Sequence, residues 1–285
     1  TDSSASIAKN LGARVVYLSS SLRACPSAGR FMGSRVATGE FILFLDADTL
    51  IFGDFLPAAI EYFVSDKTLG GVNGRIDDLS EAGTPLVNIE ERSDDVMNVK
   101  WLRGPACFYR RDALLDVGSF DPALAVEEEA ELGLRLIQNG WRLAVIPHPM
   151  ACHTRCYHGQ SVESVFSTFR RDIKSQRVGE ITKTISHAFR AGNGLAFCWL
   201  RLKTTILFLA WIFLMSVAIM LPTSLQPGSV TIGIAVAGLF LIFAKKRDLG
   251  KTLLFIPSKI LNLVDVIAGL HKIDFNPTRP ESLKK

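Results

Sequence analysis

The sequence predicts an α/β domain followed by an α-helical membrane region, and three observations carry that expectation. Helix-like and strand-like segments alternate as far as residue 146. A continuous apolar run, Phe41 to Leu45, stops abruptly at Asp46-Ala47-Asp48. Apolar residues make up 48% of the chain, and the excess lies almost wholly beyond residue 195, so the two parts of the chain are unlike.

Residues 4–11 have the composition of a short helix closed by Gly12, and residues 14–18, β-branched and aromatic, predict a strand. A Ser-, Gly- and Pro-rich loop over 19–29 leads into a helical stretch that ends at Thr38-Gly39. Residues 41–45 are apolar at every position, the pattern of a strand buried on both faces. The two carboxylates that follow therefore sit at the carboxyl end of a central strand, where open α/β sheets place their ligands. Next come a helix over 55–64, a strand over 70–76, a polar stretch of undecided structure over 77–98, and a Gly-Pro turn at 103–105 entering a short strand. Helices over 111–117 and 127–139, the second closed by Gly140, precede a strand over 142–146 that the turn Pro147-His148-Pro149 ends.

Residues 204–221 and 230–244 are two uncharged runs, to be compared with the roughly 20 residues of a bilayer crossing. Arg201 and Lys203 precede the first run, while Lys245, Lys246, Arg247 and Lys251 follow the second, so both flanks are expected in the cytoplasm and the pair reads as a transmembrane hairpin. Residues 253–270 intersperse apolar residues with Lys259, Asn262 and Asp265 as an amphipathic surface helix does, with Pro257 expected to kink it. The expected domains are 1–187, catalytic, and 188–285, membrane region. The net charge of +4 is mild and its basic residues are interleaved with acidic ones in the first half, which argues against nucleic acid as partner. Five cysteines at uneven spacing make a poor disulfide framework and point to a reducing compartment. The chain starts at Thr1 within a helix-starting segment, without a signal peptide, which suggests a first strand further upstream.

The strongest chemical signal is Asp46-Ala47-Asp48-Thr49. Two acids one residue apart behind a buried strand suit a hard divalent cation, Mg2+ or Mn2+, held against a diphosphate; the same triplet also suits a polar turn in which Asp48 caps the next helix. Glu127, Glu128 and Glu129 stand together at a helix start, where they either meet the helix dipole as solvated acids or repel one another into a group suited to proton transfer. Cys152, His153, Cys156 and His158 match no common zinc spacing. Arg170 and Arg171 offer guanidinium groups either to a phosphate or to anionic lipid headgroups.

Ala37-Thr38-Gly39-Glu40 leading into Phe41 to Thr49 resembles the family-2 glycosyltransferases of the GT-A fold. Thr1-Asp2 through Gly12-Ala13-Arg14-Val15, the Gly29-Arg30 pair, Arg103-Gly104-Pro105-Ala106-Cys107, Gly118-Ser119-Phe120-Asp121 and Glu128-Glu129-Ala130-Glu131-Leu132-Gly133-Leu134-Arg135-Leu136 follow that family's pattern in order, over residues 1 to about 180.

The resemblance implies a mixed, mostly parallel sheet flanked by helices. It also implies an inverting transferase using a UDP- or GDP-linked sugar and a lipid-linked or glycan acceptor, located at the cell (inner) membrane with its catalytic domain cytoplasmic. Asp48 would ligate the cation and Asp46 contact the donor. Glu129 would act as base, with the neighbouring Glu128 the alternative if the register is shifted by one. His153 would complete the cation's shell. Arg30, Arg103, Arg170 and Arg171 would hold the donor. Glu129 stands where that family more often has Asp. A noncatalytic membrane scaffold of the same fold and a metal-dependent nucleotidyltransferase are the competing readings, and release of free nucleoside diphosphate from an intact nucleotide-sugar separates them.

Overall fold

Strand β1 (Phe41–Leu45) alternates Ile42 and Phe44 toward one apolar cluster with Phe41 and Leu43 toward another, so it is covered on both faces, as its unbroken hydrophobicity predicts. The protein is described here from a computed structural model, over residues 3–18, 23–79, 85–86, 94–156, 170, 173–174, 177–220 and 249–270. Helices α1 (Ser4–Asn10) and α2 (Pro26–Val36) come first, α2 opening with Pro26 in its first turn, where proline's missing N–H costs nothing. After β1 follow β2 (Thr49–Ile51), α3 (Phe55–Ser65), β3 (Leu69–Leu79), β4 (Pro85–Leu86), β5 (Met97–Val99), β6 (Ala106–Arg110), α4 (Arg111–Val117), α5 (Glu128–Gln138) and β7 (Arg142–Cys156).

The sheet has seven strands in the order β1-β6-β3-β7-β2, with β4 on β3 and β5 on β7. Phe55, Ala59 and Phe63 of α3 pack on one face, with Val72, Phe108 and Ile146. Leu114 of α4 and Leu132 and Leu136 of α5 pack on the other, with Phe44, Tyr109 and Leu143. The sheet is mixed, as expected, but it is not mostly parallel: of its pairings among the described residues, β3 with β7 alone is parallel. Strands β1, β3 and β7 do run in one direction, but β6 inserts between β1 and β3 antiparallel to both, while β2 and β5 lie antiparallel along β7. Because β6 separates β1 from β3 and the other neighbours of β7 run against it, β3 and β7 are the like-directed strands that lie side by side among the described residues.

Three further expectations need correction. Residues 14–18 do not form a strand; none of them enters the sheet. Gly29 and Arg30 belong to helix α2, because the helix starts at Pro26 rather than after a loop. Strand β7 does not stop at Pro147: it continues to Cys156 with a register shift in which Asn73 faces Val145 and Arg75 faces Pro149, so that 146–148 bulge past Gly74. A Cβ on Gly74 would lie 2.3 Å from the His148 carbonyl oxygen, so the bulge is paired with a residue that has no side chain.

The chain divides into two compact units at Cys156/Tyr157, not at 187/188. The second contains α6 (Glu180–Arg190), α7 (Gly194–Met220) and α8 (Leu249–Gly269). Helix α6 is tied to α8 by Thr182 Oγ1, which donates to the Gly269 carbonyl at 2.7 Å, and by the Gly179 N–H, which donates to the Asp265 carboxylate. Residues 204–220 of the first expected crossing lie in α7, a helix that begins ten residues earlier, at Gly194, and residue 221 lies outside the described residues; the segment Gly194–Leu214 is long and apolar enough to cross a membrane. The second expected crossing, 230–244, lies outside the described residues. The amphipathic segment is α8, helical through Pro257, with Ile260, Val264 and Ile267 exposed on one stripe.

Candidate active site

At the end of β1 the chain turns at once: the Asp46 N–H donates to the Pro105 carbonyl and the Thr49 N–H to the Asp46 carbonyl, at 2.9 and 3.1 Å. Asp46 is thereby fixed against β6's entry and Asp48 against β7, and the two carboxylates meet different neighbours.

On the Asp46 side the organising group is Arg30, reached from α2. Its Nη2 donates to Asp46 Oδ1 at 3.1 Å and to the Gly104 carbonyl at 3.0 Å; its Nη1 donates to Glu128 Oε1 at 3.0 Å and Glu129 Oε1 at 2.8 Å. The guanidinium also lies over the Phe120 ring, with the centroid 5.5 Å away. Burial alone would lower the Arg30 pKa, but the carboxylates of Glu129, Asp46 and Glu128 around it outweigh that and raise it, so Arg30 stays charged. The side chain is 8% exposed, and both terminal nitrogens are engaged by protein acceptors. Beneath the cluster the Cys107 thiol, fully buried, is pushed up to about 12 by that burial.

The two glutamates differ in access: Glu128 has a side-chain exposure of 5%, Glu129 of 19%. Glu127 lies outside the helix as its N-cap, at φ +59°, a left-handed conformation that a non-glycine residue rarely adopts. Glu131 is turned away to a bidentate pair with Arg135, which also donates to the Val117 and Ser119 carbonyls and so braces the end of α4. A Cβ at Gly104 would lie 2.1 Å from Glu129 Oε1, so any larger residue there would displace that carboxylate.

On the Asp48 side, His153 Nε2 is 3.4 Å from Asp48 Oδ1, and the Asp48 carbonyl accepts from both the N–H and Oγ1 of Thr154, at 2.7 and 2.8 Å. The bulge in β7 delivers His153 to this point by pairing it with Thr49 on β2. Arg103 donates from Nη1 to the Ile76 carbonyl at 3.0 Å and pairs through Nη2 with Asp78 at 3.6 Å. Asp78, at the end of β3, also meets His153 Nδ1 at 3.1 Å and was not foreseen from sequence. Two protein ligands suit Mg2+ or Mn2+ when substrate phosphates and waters complete the shell, and ligands about 2.1 Å from one cation at right angles lie about 3 Å apart, close to the Asp48–His153 spacing. Among the described residues no group of three or more His, Cys, Asp or Glu side chains forms a cation cage, so a zinc site of the Cys152 and His153 kind finds no support there; the side chains of Cys156 and His158 lie outside the described residues. Arg170 is exposed, in the second unit, and Arg171 lies outside the described residues.

The chain is 30% identical over 140 residues to the pre-mycofactocin glycosyltransferase of Mycobacterium tuberculosis, a match that covers 45% of this chain and 30% of that protein's length. Its structure is similar to that of the mannosyltransferase PcManGT from Pyrobaculum calidifontis, solved in complex with GDP-Man and Mn2+, at a TM-score of 0.57 and 14% identity, covering 96% of this chain and 76% of that one; the likeness establishes a shared GT-A fold. Residues 2–175, more than half of the sequence, match the model of the family described as glycosyltransferase like family 2, and the chain belongs to that family.

Proposed function

We propose that this chain is a metal-dependent, inverting glycosyltransferase that moves a sugar from a UDP- or GDP-linked donor to a lipid-linked or glycan acceptor at the cytoplasmic face of the cell (inner) membrane. The observation that carries the reading is the divergence of Asp46 and Asp48: one turn at the carboxyl end of β1 joins the Arg30–Glu128–Glu129 cluster on one side and His153 on the other. A proton acceptor and a cation site on opposite sides of one strand end are what transfer from a diphosphate leaving group requires.

In this reading Asp48 and His153 hold the cation, which when bound neutralises charge on the departing diphosphate. The more accessible Glu129 takes the proton of the acceptor hydroxyl as its oxygen bonds to the anomeric carbon and the bond to the diphosphate breaks. Arg30 grips Glu129 Oε1 and leaves Oε2 for that proton. Arg103 stands partly exposed beside the cation side, placed to meet a phosphate. The nucleotide and cation bound by the mannosyltransferase support a nucleotide-diphosphate donor and Mn2+ or Mg2+ here. Membrane association is supported by the exposed apolar side chains of α7, among them Trp199, Ile212 and Phe213, and by the exposed stripe of α8.

The test is incubation of the full-length protein, in membranes, with UDP- and GDP-sugars and Mn2+. Free nucleoside diphosphate together with a product of inverted anomeric configuration is expected; release of pyrophosphate would favour nucleotidyl transfer, and absence of turnover across the panel would favour a scaffold.

A further inference from the structure

We propose that Asp78 is the positioning residue that makes His153 a cation ligand, fixing which ring nitrogen carries the proton and where the other one points. The proposal rests on the reading of Asp48 and His153 as the cation's ligands, and extends the site to a carboxylate outside the Asp-x-Asp triplet.

Strand register brings the three side chains together. His153 on β7 is paired with Asp78 on β3 in parallel register and with Thr49 on β2 in antiparallel register, so three adjacent strands place Asp78, His153 and Thr49 along one level of the sheet, and Asp48 immediately precedes Thr49. The Asp78 carboxylate only accepts, and it lies 3.1 Å from Nδ1, so it favours a proton on Nδ1, and in the neutral ring that leaves the lone pair on Nε2. Nε2 in turn faces Asp48 Oδ1 at 3.4 Å. That spacing would suit two ligands of one divalent cation, which would stand where a second ring proton otherwise bridges Nε2 and Asp48. Carboxylate–histidine–metal relays are a recurrent way of orienting an imidazole and raising its ligand strength.

Asp78 is itself held. Its second oxygen, Oδ2, pairs with Arg103 Nη2 at 3.6 Å, and Arg103 is anchored on the Ile76 carbonyl. The side chains of His153 and Asp78 are 18% and 23% exposed, shielded enough for the orientation to persist. On the far side the Asp48 backbone is fastened by Thr154. Both ends of the relay are thus fixed to neighbouring strands, and Nε2 and Asp48 would be in place for a cation before any donor arrives.

The experiment titrates Mn2+ alone into the full-length protein and its Asp78→Ala, Asp78→Asn, His153→Ala and Asp48→Asn variants, reading free Mn2+ by electron paramagnetic resonance. In parallel, 15N NMR of the histidine rings without metal reports the tautomer. Asp78→Ala is expected to weaken Mn2+ binding by about 10–100-fold, as loss of an outer-shell partner does, and Asp78→Asn by less, because its amide oxygen still accepts from Nδ1. In the parent His153 is expected in the Nδ1–H form and in Asp78→Ala in the Nε2–H form; the near-isosteric Asp78→Asn variant decides the matter if the alanine variant fails to fold. Parental Mn2+ affinity in both Asp78 variants, with binding lost in Asp48→Asn and His153→Ala, overturns the role of Asp78 and leaves the site reading standing. Mn2+ binding indifferent to all four substitutions, or absent from the parent, overturns both; an Nε2–H form of His153 in the parent overturns the positioning role directly.

Discussion

Glu128 and Glu129 share the Nη1 nitrogen of Arg30, yet Glu128 is almost wholly buried whereas Glu129 keeps a face toward solvent. A base must reach the acceptor's hydroxyl, so the account assigns proton transfer to Glu129 and a supporting place beneath Arg30 to Glu128. Glu129→Gln is expected to lower kcat by about 10²–10⁴-fold with donor KM little changed, measured by steady-state kinetics; a large loss in Glu128→Gln with almost none in Glu129→Gln would move the base by one position. The glutamates and both aspartates of the triplet could be named as candidates from the sequence because they stand at the ends of strongly patterned elements, and His153 because of the family resemblance. Asp78 could not. Its meaning depends on cross-strand register with a histidine 75 residues away, and nothing in Arg75-Ile76-Asp77-Asp78 distinguishes it from Asp77, which pairs with Arg75. That four protein acceptors surround Arg30 is something only the fold reveals.

Helix α5 shows the same division between pattern and packing. Its apolar spacing and Gly140 located it within a residue at either end, and Glu127 proved to lie outside it in a left-handed conformation that no periodicity reports. Gly133 lies mid-helix, where alanine would ordinarily stabilise by about 1 kcal/mol. Here a Cβ would come 2.2 Å from the Lys100 carbonyl oxygen, so α5 sits against the segment entering Arg103 and Gly104 as closely as backbone allows. Gly133→Ala is therefore expected to destabilise the protein, by about 1–3 kcal/mol, in chemical denaturation; stabilisation would mean that the close approach does not govern this helix. Strand β7 was foreshortened in the sequence reading because Pro147 and Pro149 normally end a strand. A bulge opposite Gly74 carries the strand past them, and His153 reaches the site on that continuation.

At the scale of the whole molecule, the α/β class was legible from the alternation of elements and the double-sided burial of β1, whereas strand directions were not, because the antiparallel insertion of β6 leaves no local mark. Within the second unit α6 packs with α7 and α8, although the polar composition before residue 187 gives no sign of this in the sequence. The account proposes that 204–221 and 230–244 cross the membrane as a hairpin with both flanks cytoplasmic, the basic residues at Arg201, Lys203 and 245–247 each favouring the inner leaflet by about 1 kcal/mol. Single cysteines introduced at Ser224 and Ser282 test it in intact cells with an impermeant thiol reagent: labelling at 224 alone is expected, and labelling at 282 would require an odd number of crossings. The central claim, that the end of β1 holds the cation that departing diphosphate needs, is tested most directly by the turnover of Asp48→Asn at saturating Mg2+ or Mn2+. The substitution keeps the size of the side chain and removes its charge. The account predicts a loss of at least about 10²-fold with an unchanged melting temperature; a rate close to that of the parent would contradict it.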